Sequence, residues 1–165
     1  MAAGYKPLFQ AFQEDHALLG KGFYELSTCL RGNDLHGART VARRLDREAG
    51  AHIAFEEECF YPALAKQSHM ETDRLLDEHG EGLTVIRTLL ELDDTEEIST
   101  EMRNGLLADS QAMEDHIAEC GGLFDAIAQM TDEQQQALYE ELVAWREKKP
   151  SWIEYERSRP EVPAA

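Results

Sequence analysis

The segment His52-Ile53-Ala54-Phe55-Glu56-Glu57-Glu58-Cys59-Phe60-Tyr61-Pro62 carries the pattern that marks this chain as helical. Nothing in it alternates apolar with polar residues as a half-buried strand would. His52 and Glu56 are four residues apart, so on an α-helix both project from one face. Pro62 has no backbone N–H and is expected to end or kink that helix.

Outward from this segment, apolar residues recur at helical spacing almost throughout. A first helix is predicted from about Lys6 to Leu30, with Leu8, Phe12, His16, Leu19, Phe23 and Leu26 on one stripe. Arg31-Gly32-Asn33-Asp34 breaks it, with Asn33 or Asp34 capping the next helix. The second helix runs from about Leu35 to Tyr61. A third spans about Glu71 to Leu92 and carries Leu75, Leu76, His79, Leu83, Ile86 and Leu90 on its inner face. Asp93-Asp94-Thr95 forms a turn, and a fourth helix is expected from about Glu96 to Met130. Thr131 and Gln134 have capping-box spacing and open a shorter fifth helix that stops before Pro150. The remainder reads as an irregular tail, with Trp152, Ile153 and Tyr155 able to dock on the bundle. The expectation is all-α: an up-down-up-down four-helix bundle over residues 1–148, then a tail over 149–165.

His52-Ile53-Ala54 is repeated as His116-Ile117-Ala118, and each His is followed eight residues later by a Phe, Phe60 and Phe124. Each long helix thus carries one core-facing histidine: His16, His52, His79 and His116. A single histidine on an apolar stripe is ordinarily a core residue whose ring nitrogens find partners. Four in one core are costly unless something satisfies them together, and a shared metal does so through neutral imidazoles. The distances to the connecting turns put the rings at similar levels. The exception is His79 and His116, whose legs differ by on the order of 10 Å at 1.5 Å per residue. Glu56, beside His52, adds a carboxylate of the kind that suits iron and bridges two ions. Acidic pairs precede three of the histidines (Glu14-Asp15, Asp77-Glu78 and Glu114-Asp115) and can support the rings or face solvent.

Other metal motifs are absent. No His has a Glu three residues before it, as ferritin-like bundles require, and there is no HExxH. Cys29, Cys59 and Cys120 form no CxxC of a zinc or iron–sulfur site.

One His on helix one, HxxxE on helix two, one His on helix three and one His on helix four together resemble the hemerythrin-like, HHE cation-binding family, over about residues 8–128. The resemblance implies metal ligation by His16, His52, Glu56, His79 and His116, with two iron ions per chain expected and zinc as the other candidate. The sequence departs from the family at two positions. Leu83 stands where oxygen-carrying members have a second helix-three His, which opens one coordination position and argues against simple reversible oxygen carriage. Cys120 stands four after His116, where an acid is expected. Cys120 can ligate as a thiolate, Glu119 can reach round, or the second metal is weakly held. Cys59, seven after His52, is also expected to face inward. His36 and His69 read as surface residues.

The chain has 165 residues, with 33 acids against 16 Lys and Arg and a net charge of −17. That balance excludes phosphate-backbone recognition and disfavours anionic membrane surfaces. No run approaches the ~20 apolar residues of a membrane span. The start of the sequence has no signal-peptide pattern, and three unpaired cysteines suit a reducing cytoplasm. The expected function is binding or sensing of a small diatomic or oxidant such as O2, NO or peroxide at a di-iron centre. The alternatives are a di-iron peroxidase or oxidase, and a zinc-binding or metal-free helical interaction module. A homodimer is compatible with all of these.

Overall fold

In the computed structural model, residues 6–159 are described, Asp94 excepted, and among them there is no strand. Helix α1 spans Lys6–Arg31, and its stripe from Leu8 to Leu26 is buried as expected. Asn33 takes a left-handed φ of 55° and stops the helix. Asp34 then caps α2 (Leu35–Phe55) by accepting the Gly37 N–H at 2.9 Å.

The rod does not end at Pro62. After Phe55 the backbone widens into a π-helical turn, Glu56–Phe60, and resumes as α3 over Tyr61–Ser68. In a regular helix the Pro62 ring would press on the Glu58 carbonyl. The wide turn, in which the Tyr61 N–H reaches back to the Glu56 carbonyl, relieves that conflict without stopping the chain.

Helix α4 spans Asp73–Glu91 and α5 spans Thr100–Glu119. The cap of α5 is Ser99, which accepts the Met102 N–H at 3.1 Å, so α5 starts about one turn later than expected. Asp94, in the expected turn, lies outside the described residues. The expected fourth helix is also interrupted. A 3₁₀ turn at Cys120–Gly122 separates α5 from α6 (Leu123–Ala128), at a Gly-Gly pair with weak helical preference. Thr131 and Gln134 form the expected capping box at the head of α7 (Asp132–Lys148). Part of the presumed tail is ordered: a second capping box, Ser151 with Glu154, begins α8 (Trp152–Ser158). Residues 160–165 lie outside the described residues.

Helix α1 packs on α2 and α5, and α4 packs on the same two, closing a four-membered ring. Phe9 meets Phe124 while Ser27 meets Ser110, so α1 and the α5–α6 rod run in opposite senses. Helix α8 lies on α2 with Trp152 and Tyr155 buried. The approach is close, since a Cβ on Gly50 would meet the Pro150 carbonyl oxygen at 2.0 Å.

The apolar core is divided. One cluster holds Leu19, Phe23, Ile53, Leu83 and Met113, and the other holds Leu8, Phe12, Phe55, Leu75 and Cys120. On α1, α4 and α5 the buried histidine falls between residues of the two clusters, and on α2 His52 lies one turn before the boundary between Ala54 and Phe55. The histidines therefore form a polar layer across a bundle that is apolar above and below.

Candidate metal centre

Glu56 is at the middle of this layer and is only 1 % exposed. Its Oε1 lies 2.6 Å from Nε2 of His52 and 3.3 Å from Nε2 of His16. Its Oε2 lies 3.1 Å from Nε2 of His79 and accepts the Tyr61 hydroxyl at 2.6 Å. A single carboxylate thus turns one oxygen to the α1–α2 histidines and the other to α4. His79 and His116 are in ring contact, with centroids 4.9 Å apart. The later start of α5 shortens the leg that had made their levels unequal.

Each ring is fixed from behind through Nδ1. That atom donates to the Phe12 carbonyl from His16 at 2.7 Å and to Asp15 from His52 at 2.9 Å. It donates to Glu57 from His79 at 2.9 Å and to Glu78 from His116. With Nδ1 occupied as a donor, Nε2 is the nitrogen turned to the centre, the arrangement in which outer carboxylates orient metal-binding imidazoles.

The acids beside the histidines act across helices. Asp15 precedes His16 but holds His52, and Glu78 precedes His79 but holds His116. Adjacent residues on a helix point about 100° apart, so the residue next to an inward histidine points at the neighbouring helix. Glu114 does something else: it accepts from the buried Ser27 hydroxyl at 2.8 Å.

Electrostatics follow from this geometry. Burial disfavours the charge on Glu56, but the surrounding histidines outweigh it and hold the carboxyl well below its ordinary range. Burial likewise opposes protonation of His52 and His79, yet Glu56 with Asp15, and Glu56 with Glu57, raise each ring to about 9. His116 goes the other way, lowered by burial and then by His79. Protons on His52 and His79 therefore face Glu56 when no cation does, and a cation would displace them.

Among the described residues, two groups of donors could hold ions: His16, Glu56 and Cys120, and Glu56, His79 and His116, each with ligand atoms within 4.8 Å of one another. N and S donors sit about 2.0–2.3 Å from a bound zinc, so two ligands of one ion stand at most about 4–4.6 Å apart and closer in a tetrahedral site. The pairs Glu56 Oε1 with His16 Nε2 at 3.3 Å and Glu56 Oε2 with His79 Nε2 at 3.1 Å fall inside that limit. Cys120 is buried, with Sγ 3.7 Å from His116 Nε2. Burial, then Glu56, push its thiol up, a preference a metal reverses.

Of the two candidates for the position after His116, Glu119 points out to Arg74 at 3.1 Å and is largely exposed. Cys59 does not face the centre as expected. The π turn rotates it toward α7, where its Sγ lies 3.8 Å from Glu141. His36 and His69 are exposed. Sequence reasoning missed Tyr61 and Glu57. It also missed Arg146, whose Nη2 holds Asp15 at 2.9 Å. The signal for the first two was the Glu-Glu-Glu run ending in Tyr61-Pro62, where the proline disturbs the helical count.

The family model for the hemerythrin HHE cation binding domain matches residues 8–127. No curated protein and no solved structure matches the chain. The chain belongs to the hemerythrin HHE cation-binding domain family.

Proposed function

We propose that this member of the hemerythrin HHE cation-binding family holds two iron ions bridged by Glu56 and binds or senses a small molecule such as O2, NO or peroxide. The observation that carries this reading is the division of Glu56, one oxygen toward His16 and His52 and the other toward His79. His16, His52 and Cys120 would hold one ion, and His79 and His116 the other. Bound iron supplies a redox change and a coordination position for a small ligand.

The rest of the chemistry belongs to the protein. The Nδ1 partners fix each imidazole, so little reorganisation accompanies uptake of a cation. The cavity between His16, His52, His79 and His116 has a volume of about 10 Å³, the room for one water-sized molecule. Leu19, Ile53, Met113 and Ile117 also line it, which keeps bulk water and larger substrates out. No helix among the described residues is long and apolar enough to cross a membrane, and a cytoplasmic setting is part of the proposal.

The donor mix of nitrogen, oxygen and sulfur also suits zinc, so metal identity is the quantity to measure. Metal content and a visible spectrum, after anaerobic ferrous loading and then air, should give two irons per chain with oxo-bridge bands. One metal per chain, or colourless zinc, overturns the proposal.

A further inference from the structure

The side chain of Tyr61 is used by no step above, yet it is 1 % exposed and its hydroxyl lies in the centre. The phenolic oxygen is 2.6 Å from Glu56 Oε2 and 3.1 Å from His79 Nε2. Those two residues belong to the group formed by Glu56, His79 and His116. We propose that Tyr61 is a metal ligand of this chain, its oxygen joining His79, His116 and Glu56 Oε2 around one ion. The inference rests on the dinuclear reading and adds a donor to it.

Three observations support it. First, the backbone is built to put Tyr61 there. In an α-helix, residues five apart fall on different faces, whereas the π turn closes from the Tyr61 N–H to the Glu56 carbonyl and stacks the two side chains. Such turns are frequent at functional sites. Second, the position fills a deficit. Leu83, one turn after His79, is an apolar core residue and supplies no donor. With Tyr61, the α4–α5 side has four donors, two nitrogens and two oxygens. The α1–α2 side has His16, His52, Glu56 Oε1 and Cys120. Third, the phenol is an oxygen donor among groups that already converge, so no side chain has to swing in from solvent.

Ligation replaces the phenol O–H bond by a metal–oxygen bond. The proton leaves to buffer and no electron moves in that step. Oxidation of the ferrous ion beforehand uses dioxygen. A hard anionic oxygen favours the ferric state, which suits a sensor of oxidants better than a reversible oxygen carrier.

The test compares wild type with Tyr61→Phe, both loaded with ferrous iron without oxygen, exposed to air, and assayed for iron per chain, visible absorption and resonance Raman scattering. Wild type should show a visible charge-transfer band whose excitation enhances tyrosinate ring modes, and these should shift when ring-deuterated tyrosine is incorporated. Tyr61→Phe should keep its far-ultraviolet circular dichroism and lose both band and modes. A wild-type protein with two irons and no tyrosinate modes overturns the role of Tyr61 while leaving the dinuclear centre standing. A wild-type protein that takes up no iron overturns both.

Discussion

Arg146 on α7 holds one oxygen of Asp15 at 2.9 Å, while the other oxygen of that carboxylate takes the Nδ1 hydrogen of His52 at 2.9 Å. Arg146 lies beyond the residues matched by the family. On the opposite side, Tyr155 and Arg159 likewise reach Glu57 at 3.1 Å, and Glu57 orients His79. The C-terminal helices of this chain therefore grip the outer carboxylates of two of the four histidines.

From this grip, Arg146→Ala should weaken metal binding, by less than the about 10- to 100-fold expected for loss of the Asp15 carboxylate that holds His52 directly. Arg146→Lys should restore part of it. Titration with a competing chelator measures both, and equal affinity in all three proteins would show that Asp15 stays in place unaided.

Glu56→Gln removes the charge that both histidine pairs face but keeps the shape. The expected result is a fall from two bound metals to one or none, with the protein still helical, read by metal analysis and circular dichroism. Retention of two ions would mean that the bridge lies elsewhere.

Cys120→Ala should lower the affinity of the ion on the His16 and His52 side and alter the spectrum. Unchanged metal content and an unchanged spectrum would remove the thiol from the ligand set and leave it a core residue.

For the metal-free protein the pH dependence has a definite sign. His52 and His79 are raised from 6.5 to about 9 on folding. Their contribution is fully present below pH 6.5 and is lost as pH rises through 9. The lowered Glu56 contributes above pH 4.5 and loses its contribution as pH falls through its depressed value. His116, lowered on folding, subtracts as pH falls below 6.5, but two raised rings oppose it. Chemical denaturation should therefore find the metal-free fold weaker by on the order of a few kcal/mol at pH 9.5 than near pH 6. A flat profile across that range would contradict the imidazolium–carboxylate pairing.

Gly50→Ala tests the docking of α8. The added Cβ would fall 2.0 Å from the Pro150 oxygen and 2.5 Å from the Ser151 carbonyl carbon, both backbone atoms that cannot rotate away. A loss of about 1–3 kcal/mol is expected, seen as a lower Tm. No change would mean that α8 moves freely off α2.

The helical class, the four inward histidines and the pairing of His52 with Glu56 were legible along the chain, because helical periodicity is a local property: spacing alone says which side chains share a face. The cap at Thr131 was legible as well, and that of α2 to within Asn33 or Asp34, because cap partners lie within one turn. The remaining features depend on packing between helices. The π turn changes the helical phase after Glu56, which turns Tyr61 inward and Cys59 outward, and its cause is a proline conflict that periodicity does not register. The hydrogen-bond partners of His52, His79 and His116 come from other helices, so only packing reveals that Asp15 serves His52 and Glu78 serves His116. Helix α8 is short and forms because Trp152 and Tyr155 find a place against α2, a stabilisation that exists only once the bundle has closed.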